Sequence, residues 1–97
     1  MKEIINQLYE MEQKGHKNDI TMFERHIKRM YHELERMGYT LKDPTGEKFS
    51  EERTDIDATV MGALHPKMKI SKVLKPIIYK QETGQALIVQ KGVVIVE

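Results

Sequence analysis

The chain contains 97 residues, carries a formal net charge of +1 and has no cysteine. This length fits one small domain or a helical unit joined to a minimal β unit. The lack of cysteine excludes disulfides and thiolate metal sites, and a charge so close to zero indicates no particular partner. Hydrophobic residues make up 39% and aromatic residues 6%. Because that is a thin core for a small monomer, we expect oligomerisation or a partner protein.

The start of the chain does not resemble a signal peptide, because Glu3, Glu10 and Glu12 interrupt any apolar run. No stretch approaches the roughly 20 consecutive apolar residues of a membrane-spanning helix. We therefore expect a cytoplasmic, soluble protein that has no contact with a membrane.

Two amphipathic helices are predicted in the first part of the chain. Steps of four and three residues place the apolar residues of the first helix on one face, and the same steps in the second helix form a heptad pattern, which is typical of packing against a partner helix. Gly38 is suited to end the second helix. The sequence therefore predicts a dimerising helical bundle. Its expected interface residues are Ile4, Leu8, Phe23, Ile27, Met30 and Leu34.

After Gly38 the pattern changes to short strands. Residues 56–60 alternate between apolar and polar side chains, and the segments 86–89 and 93–96 are rich in β-branched residues. The short connection 90–92 predicts that these last two segments form a hairpin. The expected fold class is α+β, with a helical dimerisation segment over 1–38 and a small all-β head over 39–97.

No catalytic or metal-binding pattern is visible in the sequence. The four histidines lack the spacing of a metal site. The carboxylates between Asp43 and Asp57 have neither a nucleophile nor a metal ligand beside them, so we expect a solvated acidic loop there. The serines and threonines lie outside any nucleophile motif. We therefore predict a protein that is not an enzyme and that uses no cofactor and no metal.

A basic stretch without acidic residues gives the chain one further candidate surface. Such a stretch could bind phosphates, but it contains no arginine and one aromatic residue, so base recognition is unfavourable and nucleic acid is not the expected partner. Docking to an acidic protein surface is an alternative use. The lysines of this stretch are Lys67, Lys69, Lys72, Lys75 and Lys80.

The junction between the helices and the strands resembles the GrpE family, the nucleotide exchange factors of DnaK-type chaperones. In that family a helix leads into a turn of the form "DP.GE.F" and then into a compact β head. The resemblance covers about residues 22–97, without the family's long N-terminal stalk and with a different residue pattern after the turn. The matching residues are Leu34, Glu35, Met37, Gly38, Asp43, Pro44, Gly46, Glu47 and Phe49, and the later "QKG" of Gln90, Lys91 and Gly92.

The resemblance implies a homodimeric co-chaperone that binds the nucleotide-binding domain of a DnaK-type chaperone and promotes ADP release. The expected partner contacts are Gln90, Lys91 and Gly92, with electrostatic support from Lys72 and Lys75. The alternatives are a small nucleic-acid-binding module with a basic face and a dimeric assembly module.

Overall fold

The computed structural model describes all 97 residues, Met1 to Glu97, and contains two helices followed by six strands. The predicted α+β class, with N-terminal helices and a β head, is confirmed. The helices are α1 (Lys2–Lys17) and α2 (Glu24–Arg36), and the strands are β1 (Tyr39–Lys42), β2 (Ile56–Val60), β3 (Ile70–Lys75), β4 (Ile77–Glu82), β5 (Gln85–Gln90) and β6 (Gly92–Val96).

Strands β3 to β6 form one long, bent hairpin. Pairing runs from Ile70 with Val96 to Glu82 with Gln85, so the arm of β3 and β4 is antiparallel to the arm of β5 and β6 throughout. The bend lies at Pro76, which has no N–H to donate to a strand ladder, and register shifts lie on both sides of it.

The bend divides the long hairpin into two three-stranded sheets. In the first sheet, the order is β1-β4-β5 and all pairs are antiparallel. In the second sheet, the order is β2-β6-β3, and β2 runs parallel to β6. Each half of the hairpin thus gains one additional strand. The resulting total of three strands is the minimum for an independently stable sheet.

The prediction of a hairpin between 86–89 and 93–96 is wrong. Both segments are strands, but β5 pairs with β4 in the first sheet and β6 pairs with β2 and β3 in the second. Lys91 therefore lies where the chain crosses between sheets. The tight turn lies at Thr83 and Gly84, whose φ angles of 45° and 81° are both positive. Two such residues are characteristic of a two-residue type I′ turn.

Two hydrophobic clusters form on opposite faces of β4. Adjacent strand residues point to opposite faces, so Ile78 enters the cluster beneath the helices while Ile77 enters the cluster of the second sheet, and both are fully buried. The helical cluster consists of Ile5, Leu8, Ile27, Leu34 and Ile78. The second cluster consists of Ile56, Met68, Ile70, Ile77, Val94 and Val96.

The helices share their core with the first sheet. Tyr39 and Leu41 of β1 pack against the helical cluster together with Ile78 of β4. Gly38, with a φ of 92°, ends the helical region just before β1, at the predicted position. Residues 1–38 therefore rest on strands that belong to residues 39–97.

Candidate functional site

One row of the predicted dimer residues is occupied within the single chain. Leu8, Ile27 and Leu34 are buried in the helical cluster against Ile78. A residue that is already covered by its own chain offers almost no apolar surface to a second copy. The heptad pattern of α2 is therefore used in part to hold the helix on the first sheet.

The other heptad position remains at the surface on both helices. Ile4 is 63% exposed, Phe23 52% and Met30 42%, and Met11 and Met37 are also exposed. Ile4 and Met11 are seven residues apart, as are Phe23, Met30 and Met37. We call these five residues the outer helical row. Since a coiled-coil seam uses two positions of each heptad, this row is half of a seam, without a partner in the chain.

The outer helical row borders an apolar groove between the two helices. Ile4, Met11 and Met30 line this groove of about 310 Å³, together with Leu8 at its base. Long, flexible methionine side chains adapt to irregular partner surfaces. The groove is therefore suited to an apolar side chain from another helix.

Gln90, a predicted partner contact, joins three parts of the fold through its side chain. Asn6 Nδ2 donates to Gln90 Oε1, and Gln90 Nε2 donates to Asn6 Oδ1, each at 2.8 Å. Gln90 Nε2 also donates to the carbonyl of Pro76 at 2.9 Å. Both amide hydrogens and the amide oxygen are thus engaged. The role of Gln90 in the structure is to fix α1 to the bend of the hairpin.

Gly92, another predicted contact, is buried at the same bend. A Cβ at this position would lie 2.9 Å from Ile77 Cγ1 and 3.4 Å from Ile56 Cγ2. The first distance is shorter than ordinary van der Waals contact, so a side chain would displace the second cluster. Of the three residues 90–92, Lys91 alone is exposed.

Lys72 and Lys75, the predicted electrostatic contacts, are exposed on β3 at an edge of the second sheet. Lys75 pairs with Val93, and its carbonyl lies 3.5 Å from the position that a Gly92 Cβ would occupy. The fold thus brings β3 beside the crossing that carries Lys91. We call Lys72, Lys75 and Lys91 the basic bend.

The remaining lysines of the basic stretch do not form one continuous face with the basic bend. Lys80 lies on β4 in the first sheet, where its Nζ is 4.5 Å from the centre of the Tyr39 ring. This distance fits a cation–π contact. Lys67 and Lys69 precede β3 and are exposed. Lys80 thus lies in the first sheet, whereas the other four lysines lie in β3 or just before it.

The turn after β1 is held from both sides by hydrogen bonds. Tyr9 Oη donates to Asp43 Oδ2 at 2.8 Å, and Thr45 donates to Asp43 Oδ1 through its backbone N–H at 3.0 Å and through its hydroxyl. The backbone N–H of Gly46 donates to the carbonyl of Ile70 at 2.7 Å. The turn therefore connects α1 to β3.

These contacts shift the pKa values of the groups that make them. Burial by itself raises the pKa of the Asp43 carboxyl, but the hydrogen bonds from Thr45 and then Tyr9 outweigh it, and the pKa lies below its usual value. Burial, followed by the bond to Asp43, raises the pKa of the Tyr9 hydroxyl. Asp43 is thus held as a carboxylate, and Tyr9 as its donor.

Arg53 organises the carboxylates beyond this turn, a role that the sequence analysis missed. Its Nε and Nη2 donate to the two carboxylate oxygens of Asp55 at 3.0 and 2.9 Å, and its Nη1 lies 3.3 Å from Glu47 Oε1. The hydrogen bond from Arg53 lowers the pKa of Asp55. The expected solvated loop is therefore paired in part with Arg53. The single arginine among the carboxylates of the loop is the signal of this pairing in the sequence.

No protein-family model matches the chain. No curated protein matches it, and no solved structure matches it. None of its helices has both the length and the apolar character needed to cross a membrane. The features that bear on function are therefore those of the molecule itself. They are two surfaces, the outer helical row and the basic bend, connected by a hydrogen-bonded turn.

Proposed function

We propose that the chain is a GrpE-like co-chaperone, which binds the nucleotide-binding domain of a DnaK-type chaperone and promotes ADP release. One observation carries the proposal. The turn that matches the family's motif lies between the helices and the β head, and it hydrogen-bonds to both of them. The proposed partner implies a cytoplasmic location and a role without a catalytic site or a cofactor.

The proposed mechanism is a shift between two states of the chaperone. A factor that binds the open nucleotide cleft more tightly than the closed cleft raises the population of the open state, and ADP then leaves faster. By linkage, ADP must weaken binding of the factor by the same ratio. No bond is made or broken in this mechanism, so the chain only has to present a rigid surface.

The connection between helices and head supports such rigidity. The bond from Tyr9 to Asp43 and the bonds between Asn6 and Gln90 fix α1 at two points separated along the chain. A head that rotated freely about its junction would lose conformational entropy on docking, and this loss would weaken binding. We infer that these bonds hold the basic bend in a fixed orientation relative to the helices.

The proposed contact with the chaperone is the basic bend. Lys72 and Lys75 are exposed on β3, and Lys91 is exposed at the crossing that leads into the neighbouring strand β6. Positive charge speeds docking to an acidic surface. Gln90 and Gly92 support this surface through contacts inside the fold, Gln90 by its bond to the carbonyl of Pro76 and Gly92 by its close packing. They do not present side chains to the partner.

Dimerisation is proposed to use the outer helical row. Met30→Glu would place a charge in the groove between the helices. At concentrations below the micromolar range we therefore expect a helical dimer to dissociate into monomers, with little change in the thermal unfolding of each chain. Sedimentation velocity measures the mass. His32→Glu is the matched control, because His32 is exposed on α2 about 160° around the helix from Met30. Equal dissociation of both variants would contradict this interface.

The test of the exchange activity is release of a fluorescent ADP analogue from the source organism's DnaK-type chaperone, followed by stopped flow. We expect release to accelerate and to saturate with the concentration of the chain. Lys91→Glu should abolish most of the acceleration, whereas Lys17→Glu, an equal charge change at an exposed site at the end of α1, should not. Gly92→Asp is unsuitable as a test because it would disrupt the second cluster.

A dimeric assembly module is the second candidate, since the outer helical row is exposed whether or not a chaperone binds. It is distinguished by self-association without any effect on ADP release. A nucleic-acid-binding module is disfavoured because Lys80 is separated from the other lysines and directed at Tyr39. Oligonucleotide binding that weakens steeply with salt concentration would support the nucleic-acid-binding module instead.

A further inference from the structure

The free edge of the first sheet is strand β5. In the order β1-β4-β5, β5 has β4 as its one neighbour, so alternate N–H and C=O groups along its other side have no partner in the sheet. Residues 85–89 are all exposed, with Leu87 at 47%, Ile88 at 43% and Val89 at 46%. Since adjacent residues point to opposite faces, both faces of β5 are apolar and open.

Strand β5 differs from the other three sheet edges in its lack of charge. Edge strands are usually protected against pairing by charged residues, bulges or proline. β1 carries Lys42, β2 carries Asp57, and β3 carries Lys72 and Lys75 with two register shifts. β5 has one register shift, at Val89, and its pairing with β4 is regular from Gln85 to Ile88. Residues 85–90, QALIVQ, contain no charge, no proline and no glycine. An exposed segment with this composition readily pairs with another strand.

We propose that β5 pairs antiparallel with β5 of a second copy of the chain. A free strand edge binds an extended segment through main-chain hydrogen bonds. A second β5 brings no like charges together, and a two-fold axis normal to the sheet places each side chain beside one from the same face. Centred on Leu87, it pairs only residues from the regular part of β5 and sets Ala86 against Ile88 of the second copy. Centred on Ile88, it sets Leu87 against Val89, which lies at the register shift.

The result would be a six-stranded sheet in the order β1-β4-β5-β5-β4-β1. Every pair in the first sheet is already antiparallel, so the new pair continues the same pattern. Six strands is a usual size for a sheet, while three is near the lower limit.

The strength of this pairing is set by its size. A strand of six residues presents an edge of about 20 Å, and the area buried there is below the roughly 1,200 Å² of a standard stable interface. We therefore expect association that depends on concentration in the micromolar range or above. The pairing does not depend on the chaperone and uses none of the outer helical row.

The test introduces one cysteine at a time. Because the chain has no cysteine of its own, any disulfide must form between the introduced residues. The full-length variants Leu87→Cys and Ile88→Cys are oxidised with copper phenanthroline. The residue on the two-fold axis faces its own copy with Cα atoms about 4.5–5.5 Å apart, within the range of a disulfide. Its neighbour meets its own copy only diagonally, about 7–8 Å away. Leu74→Cys is the control, an exposed leucine on β3 in the other sheet.

We expect one of the two β5 variants to form a disulfide-linked dimer at least tenfold faster than Leu74→Cys, also in a Met30→Glu background, where the helical interface is removed. In the same Met30→Glu background, Ile88→Lys should halve the sedimenting mass at equal micromolar concentration, and Ile88→Thr should retain it. Circular dichroism checks that each variant is folded. Cross-linking no faster than the control, or an unchanged mass for Ile88→Lys, would overturn the proposal and leave the edge to a strand from another protein.

Discussion

The hydrogen bond between Tyr9 and Asp43 gives the sharpest test of how the helices are fixed to the head. Tyr9→Phe removes the hydroxyl and keeps the ring, which is 3% exposed, so it leaves no large cavity. The bond is 2.8 Å long and its acceptor is a carboxylate. Hydrogen bonds to charged groups contribute about 1.5–3 kcal/mol. Because Asp43 is solvent-exposed and its interactions are screened, we expect about 1.5 kcal/mol, the lower end of that range.

The loss should depend on pH in a defined direction. The pKa of Asp43 in the folded chain lies below its usual value, so its contribution to stability is complete above the unfolded pKa of about 3.9 and is lost as the pH falls through the folded pKa. The difference between wild type and Tyr9→Phe should therefore be largest at pH 7 and should shrink by about pH 3.

Urea unfolding at pH 7 and pH 3, followed by circular dichroism, measures both effects, and thermal unfolding should show a Tm lower by roughly 6–12 °C at pH 7. Tyr31→Phe is the control, because the Tyr31 hydroxyl donates to Glu12 over a longer 3.2 Å and does not touch the turn. Asp43→Asn completes a double-mutant cycle. A Tyr9→Phe loss within about 0.3 kcal/mol of zero, or one unchanged at pH 3, would refute the reasoning.

Three other predictions follow from the β head. Gly92→Ala should lower the free energy of unfolding by about 1–3 kcal/mol, because its Cβ would clash with Ile77; equal stability in urea would show that the bend can relax. Thr83→Asn should raise stability by about 0.5–1 kcal/mol, because a β-branched residue at a φ of 45° is strained and Asn is preferred in a type I′ turn; a lower Tm would contradict that assignment. Arg53→Met should destabilise the chain by about 1–3 kcal/mol at pH 7. Because the pKa of Asp55 is lowered in the folded chain, this loss should shrink in urea titrations as the pH falls below about 4.

The sequence by itself determined the local elements. Apolar periodicity predicted both helices, and alternation of apolar and polar residues predicted the strand at 56–60. β-branched segments predicted the strands at 86–89 and 93–96, and Gly38 marked the end of the helical region. These features depend on residues close together in the chain, where side-chain spacing and backbone preferences act directly. The prediction of an acidic, solvated loop missed Arg53, although its pairing with Asp55 spans two residues.

The tertiary structure alone decided how these elements are combined. Local preference could not distinguish a hairpin of β5 with β6 from strands in different sheets, because both conformations are extended and the choice depends on pairing with β4 and β2. In the same way, the heptad pattern of α2 predicted a seam between helices. The presence of Ile78 beneath the helix decided which of the two apolar heptad positions is buried. Gln90 and Gly92 resembled contact residues until the fold brought Asn6 and Ile77 against them. In each case the deciding partner is distant in sequence, and no local pattern encodes which distant surface will cover a residue.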